Sequence, residues 1–247
     1  AENLSKEIEN SDIVINLAGA PILQRWTERT KKLIYESRVR TTRNVVKAIK
    51  ELPIDKRPKK FISASAIGIY KPGEQHDENS TNFDSGFVGS VVKDWEAASK
   101  DLPDDIQRVV FRIGIVLGKD AKSVKNLVLP TKMGFAAKLG KGNQAFPFIH
   151  EKDLIRAFSF IVNEFDKSEI FNLVAPEQIS NREFTKSFAN SLNRTAFLSV
   201  PSFFLKTVLG EAFTLLTEGP FVIPKNLHES GFKFDFPTIK ETLADIL

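Results

Sequence analysis

Ile13-Val14-Ile15-Asn16-Leu17-Ala18-Gly19-Ala20 reads as an apolar strand that runs directly into a turn of small residues. A second strand of the same kind, Phe61-Ile62-Ser63-Ala64-Ser65-Ala66, follows one long helical stretch. Strands this apolar are buried on both faces, the mark of a parallel sheet. Where they end in Gly, Ala or Ser, a flat ligand can lie against nearly bare backbone, as in nucleotide-binding sheets. Nothing upstream supplies the Gly-rich phosphate loop that usually accompanies such a sheet.

Working outward, Leu33, Ile34, Val39, Val45, Val46 and Ile49 recur at helical spacing and predict a helix that reaches about residue 50. Pro53 and Pro58 stop it and set up the second strand, which continues through Ala66-Ile67-Gly68-Ile69-Tyr70 into a polar loop over 72–85. A helix over 86–100 and a strand over 107–118 come next. Strand, helix, strand, helix, strand is the pattern of an α/β fold with a Rossmann-type parallel sheet and right-handed crossovers. The second half predicts helices over 124–138, 151–164, 181–193 and 202–217, with short strands over 146–149 and 170–174. The chain is therefore divided into a dinucleotide-binding core, 1–120, and a small, mostly helical substrate lobe, 121–247, interleaved with the end of the sheet.

The 247 residues are 42% hydrophobic and 27% charged, ordinary values for a chain with a substantial core. Thirty-five Lys and Arg against 31 Asp and Glu leave +4, spread along the chain without a dense basic block, so neither a nucleic-acid nor a membrane partner is expected. The absence of cysteine excludes disulfides and thiolate chemistry, and His76, His150 and His228 are not spaced as metal ligands. No metal is expected. No apolar run reaches the ~18 residues that span a bilayer and no signal peptide opens the sequence, which predicts a soluble, intracellular protein. Residue 1 is Ala, and with the phosphate loop missing, the sequence reads as a fragment or a processed form.

Asn16-Leu17-Ala18-Gly19, Ser63-Ala64-Ser65, Phe111-Arg112-Ile113-Gly114-Ile115-Val116-Leu117-Gly118 and Phe148-Ile149-His150-Glu151-Lys152-Asp153-Leu154 follow one another in the order that resembles the extended short-chain dehydrogenase/reductases. Arg25-Trp26-Thr27, Ser37-Arg38-Val39, Lys93-Asp94-Trp95-Glu96-Ala97-Ala98, Phe171-Asn172-Leu173-Val174-Ala175-Pro176, Leu209-Gly210-Glu211 and Gly231-Phe232-Lys233-Phe234 narrow the resemblance to the atypical, epimerase-like family 39U, over nearly the whole chain. The resemblance implies an NADP-dependent oxidoreductase without a settled substrate, and a first βαβ unit that this sequence lacks. It also implies roles for particular residues. Leu17, Ala18 and Gly19 would give backbone contacts to the cofactor, Val116 would lie near the nicotinamide, and Arg38 would hold a cofactor phosphate with its bidentate donors. The alternative for Arg38 is one more exposed helix cation.

Catalysis departs from the superfamily. The usual Tyr and Lys four residues apart, in which the cation lowers the phenol's pKa, is missing, because Tyr35 and Tyr70 are followed four residues later by Val39 and Glu74. Ser65 matches the superfamily's active-site hydroxyl, with a local backbone partner as the alternative. Tyr70 and Lys93 together would have to replace the lost pair. His150 is read as a partly buried lining residue of the cleft, Asp153 as a helix-start carboxylate stabilised by the helix dipole, and Trp26 and Trp95 as core.

Two functions follow. One is an NADP-dependent oxidoreductase or epimerase-like enzyme for a small carbonyl or alcohol, with Ser65 in the cleft. The other is a dinucleotide-binding regulatory or interaction module without turnover. Two strands missing from the centre of the sheet would expose apolar edges, which predicts poor solubility or pairing with another copy as a homo-oligomer.

Overall fold

Four parallel strands, Ile13–Asn16, Lys60–Ala66, Gln107–Ile113 and Glu169–Leu173, lie side by side in that order. The computed structural model describes residues 2–247. The strands are contiguous, so no gap opens at the centre of the sheet: Ile13–Asn16 is an edge strand, on which Ile15 is exposed. This corrects the expectation of a sheet interrupted in its middle.

The strands read as apolar runs because helices cover both faces. Ile62, Val109, Phe111 and Phe171 pack with Ala157 and Ile161 of the helix Glu151–Glu164, while Phe61 packs with Ile8, Val45, Ala48 and Ile49. Each fully buried phenylalanine contributes about 1.5–3 kcal/mol by leaving water. Lys60 is a buried exception: its ammonium donates to the carbonyls of Ile161, Val162 and Phe165 at 2.9, 3.0 and 2.6 Å. These are carbonyls that the helix end leaves free, and a cation there also meets the negative end of the helix dipole.

The long helix after the first strand starts at a reciprocal cap between Thr27 and Thr30 and runs as Glu28–Tyr35, a wider π turn at Glu36–Arg40, and Thr41–Lys50. π turns inside helices are rare and favour functional positions. This one carries Ser37 and Arg38.

Several elements differ from the sequence expectation. The strand expected over 107–118 breaks at Gly114, so that Ile115–Leu117 leaves the main sheet and pairs with Phe148–His150. A Cβ at Gly114 would stand 2.7 Å from both the Pro147 carbonyl and Val174, so only glycine passes through this fork. The helix expected over 202–217 breaks at Gly210, whose φ of +60° a glycine adopts without strain, into Ser202–Leu209, Gly210–Phe213 and Thr214–Thr217. The helix expected over 124–138 is Lys122–Lys132, followed by a strand, Ala137–Leu139, that pairs with Leu198–Val200. The 72–85 loop is partly ordered by Gln75–His76, paired with Phe221–Val222.

Candidate functional site

A cleft of about 580 Å³ opens at the C-terminal ends of the strands, the usual place for ligands in open α/β sheets. Ala66-Ile67-Gly68, Ile113-Gly114-Ile115 and Phe87-Val88 form its sheet side, and Lys206 to Pro220 contributes the opposite wall. Gly68 fits because a Cβ there would meet Val88 at 2.6 Å. Trp26 also lines the cleft, edge-on to Phe87 at 5.0 Å, and is only half-buried; it is a wall residue, whereas Trp95 is buried in the core as expected. Lys31 bonds Glu211 at 2.6 Å and lies 5.6 Å from the Phe87 ring, tying the first long helix to the far wall. A second pocket of about 480 Å³, lined by Lys141, Asn143, Gln144 and Ser202, shares Pro72, Phe213, Glu218 and Gly219 with the first.

The turn after the first strand is held by side chains. Asn16 accepts from the Ala18 N–H and donates to Thr42, which in turn accepts from the Trp95 indole at 3.0 Å. Ser37 accepts from the Ala20 N–H at 2.9 Å. Leu17 and Gly19 are exposed and Ala18 is half-buried. Behind Gly19 stands Arg38, close enough that a Cβ on Gly19 would lie 3.1 Å from its Cζ. The guanidinium stacks over Trp95 at 5.3 Å and donates one bond, to the Ile34 carbonyl at 3.2 Å. Arg38 is half-buried rather than one more wet helix cation, burial draws its pKa below the ordinary value, and no carboxylate pairs with it among the described residues. A charge so placed is costly without a counterion.

The proposed catalytic residues are arranged otherwise than expected. Ser65, Arg112 and Asn172 are register partners across three strands, so they form one row on the sheet. Into that row Glu96 projects from the helix Phe87–Ala97: it accepts from the Ser65 hydroxyl at 2.6 Å and from Arg112 through two bonds of 2.8 Å. Arg112 also donates to the Tyr70 hydroxyl at 2.8 Å, and Tyr70 donates to Asn172 at 2.9 Å. Asn172 passes the network on, since its N–H donates to Glu78. All six residues are buried. Ser65 is therefore turned to Glu96 while the cleft wall begins at Ala66, and its partner is a carboxylate rather than local backbone.

Tyr70 and Lys93 do not form a pair. The phenol is already held by Arg112 and Asn172, and Lys93 lies exposed on its helix with no hydrogen bond or ion pair among the described residues. Burial pushes the Tyr70 phenol up to about 12, against the lowering influence of Arg112. Tyr35 is also raised, first by burial and then by its bond to Asp94. These are the only tyrosines. Phenolate absorbance in the folded protein should therefore not develop at the ordinary phenol pKa of about 10. Between about pH 10 and about 12 the unfolded chain holds fewer protons at Tyr70 than the folded one, so stability should fall as pH rises through that window. A spectrophotometric titration with a native midpoint near 10 would contradict this environment.

Val116 packs on the core with its side chain, and its neighbours Gly114 and Ile115 line the cleft. His150 is fully buried away from the cleft, stacked on Phe236 at 3.9 Å. Its Nδ1 accepts from the Lys152 N–H, which leaves the proton on Nε2, 3.2 Å from Asp245, and burial draws its pKa down. Asp153, also fully buried, accepts from the N–H groups of Asp235 and Phe236 and from Arg156, a structural role at a helix start. No group of three or more His, Asp or Glu side chains is placed to hold a metal among the described residues.

Sequence reasoning missed Glu96, Arg112 and Asn172. The signal available was their charge or polarity inside otherwise apolar elements, such as Arg112 in the run Val109 to Ile113.

Comparison with known proteins bears on the family and the fold. The profile of the NAD dependent epimerase/dehydratase family matches residues 1–90, and a domain of unknown function (DUF1731) matches residues 200–246. The epimerase family protein SDR39U1 homolog, chloroplastic, of Arabidopsis thaliana is 34% identical over 242 residues, 97% of this chain and 70% of that protein. SDR39U1 of Mus musculus is 33% identical over 96% of this chain and 82% of its own length. The crystal structure of human SDR39U1 (isoform 2) with NADPH superposes with a TM-score of 0.92 at 33% identity, covering 99% of this chain and 85% of that one.

Proposed function

The chain belongs to the SDR39U1 epimerase family, and on that footing we propose that it binds NADP(H) along the strand ends and interconverts a small carbonyl with its alcohol in the 580 Å³ cleft. The observation that carries the reading is Arg38, a half-buried guanidinium without a carboxylate partner among the described residues, pressed against the bare Gly19 turn. Of its five donors one is used, leaving the fork for a phosphate. Leu17 offers an exposed apolar surface beside it, and Ala18 and Gly19 leave room for close approach. These residues suit an anionic, flat ligand, and the chemistry that the nicotinamide supplies when bound is hydride transfer.

The segment from Gly19 leads on to Ile22 and Trp26 in the cleft wall, which links the cofactor end to the substrate end. Val116 acts from behind, fixing Gly114 and Ile115 by packing on the core. Ser65, through Glu96, positions the strand ends, whereas Tyr70 lines the cleft with its hydroxyl held by Arg112 and Asn172. The proton that accompanies hydride is exchanged with a group lining the wall, Tyr70, Asp84 or Glu218, rather than with a tyrosine-lysine pair. The commitment of both hydroxyls to a buried network also favours a second reading, a dinucleotide-binding module without turnover.

Fluorescence titration with NADPH, followed by an NADPH-consumption assay over a panel of small aldehydes and ketones, separates the two. Saturable binding with consumption is expected; binding without consumption favours the module; no binding removes both.

A further inference from the structure

Residues 119–141 and 194–208 differ from the rest of the molecule in two independent ways. Of the fifteen large apolar side chains that stand exposed among the described residues, eight lie here, including every exposed phenylalanine: Phe135, Phe197, Phe203 and Phe204. The same stretches hold eight Lys and Arg against a single acidic residue, Asp120, so they carry +7 within a chain whose whole balance is +4. Asp120 is taken by Lys125 at 2.8 Å, and the other seven cations make no ion pair among the described residues. The even spread of charge expected from the sequence concealed this concentration.

The two stretches form one piece of structure. Ala137–Leu139 pairs with Leu198–Val200, and Arg194 donates to the Lys132 carbonyl at 2.9 Å. On the helix Ser202–Leu209, Leu205 alone is buried, and Phe203 and Phe204 are exposed to 75% and 55%. Interaction sites carry exposed apolar side chains gathered on one piece of structure in this way.

We propose that this basic, phenylalanine-bearing face docks on an anionic bilayer surface. Phenylalanine and aliphatic side chains at the boundary of the acyl region, with lysines reaching the headgroups, is how interfacial proteins bind without spanning. No helix among the described residues is long and apolar enough to cross a membrane. A second copy fits poorly, because a symmetric contact sets +7 against +7. Single-stranded nucleic acid would stack on the phenylalanine rings and leave Leu127, Leu129, Met133 and Val208 in water, whereas a bilayer takes up all eight apolar side chains.

The test is co-sedimentation of the protein with phosphatidylcholine vesicles, with and without about 30% phosphatidylserine, at low and high salt. Binding is expected only to the anionic vesicles and should weaken with salt. A Phe203→Ala, Phe204→Ala double substitution should lower partitioning at least about tenfold, as removal of two inserted rings implies. Lys122→Glu with Lys132→Glu should lower it by at least about fivefold per site. All four positions are exposed, so thermal melts and NADPH titrations should match the parent protein. Equal uptake by neutral vesicles, no uptake at all, or uptake unchanged in the phenylalanine variant would overturn the proposal. So would sedimentation velocity showing a dimer that the phenylalanine substitutions abolish in the absence of vesicle binding, which would make a second copy the occupant.

Discussion

Glu96→Ala is expected to remove about 3–5 kcal/mol of folding stability, the range for breaking a buried ion pair from one side. Glu96 is nearly inaccessible, and its carboxylate receives three hydrogen bonds, one from Ser65 and two from Arg112. Burial alone draws the Arg112 guanidinium down, and the bonds and charge of Glu96 outweigh it, holding Arg112 above its ordinary range. Alanine leaves that cation inside the protein with Tyr70 as its remaining partner and strands the Ser65 hydroxyl beside a void. For a chain of this size the loss corresponds to roughly 10 °C in midpoint. Arg112→Met in the same background should recover part of it, since an apolar side chain relieves the unpaired charge. Urea titrations of the parent, both single variants and the double variant give the coupling directly. A cost below about 1 kcal/mol for Glu96→Ala would mean that water reaches the pair and that the row does not hold the sheet.

That row explains what the sequence could and could not disclose. The main strands were legible because burial on both faces makes them continuous apolar runs, and the strand-helix alternation implied a parallel sheet. Register was not legible. Ser65, Arg112 and Asn172 are 47 and 60 residues apart in the chain and become neighbours only through pairing of the strands. A strand pattern says which residues share a face within one strand, and nothing about which residue of the next strand stands opposite. Ser65 was therefore visible as a small hydroxyl residue at a strand end, while the carboxylate that claims it, arriving from a helix, was not. The same limit applies to Gly114: in sequence it sits inside one apolar run, and only the approach of Pro147 and Val174 shows why the chain must fork there. The size and apolar body of Trp26 suggest the core, yet it stands in a wall built from distant segments. Resemblance singles out Arg38, and its physical distinction lies in the fold, which half-buries it behind Gly19 without an acid to pair with among the described residues.

Arg38→Gln is therefore expected to weaken NADPH binding by about 10–150-fold, the equivalent of about 1.5–3 kcal/mol for charge-assisted hydrogen bonds. Folding stability should change little or rise, because the substitution removes a partly desolvated charge that has no carboxylate partner among the described residues. This opposite pair of effects distinguishes a ligand-binding cation from a structural one. Were Arg38 held only for its stacking on Trp95, Gln would cost stability and spare affinity. Arg38→Lys should fall between the parent and Gln, since the charge survives but the planar fork does not. Running the same titrations with NADH locates the phosphate that Arg38 meets. A loss confined to NADPH assigns Arg38 to the phosphate that the two cofactors do not share, whereas an equal loss for both assigns it to the pyrophosphate. Equal affinities of parent and Arg38→Gln for NADPH would remove the observation on which the cofactor reading rests, and the bare turn at Gly19 would then need another ligand to explain it.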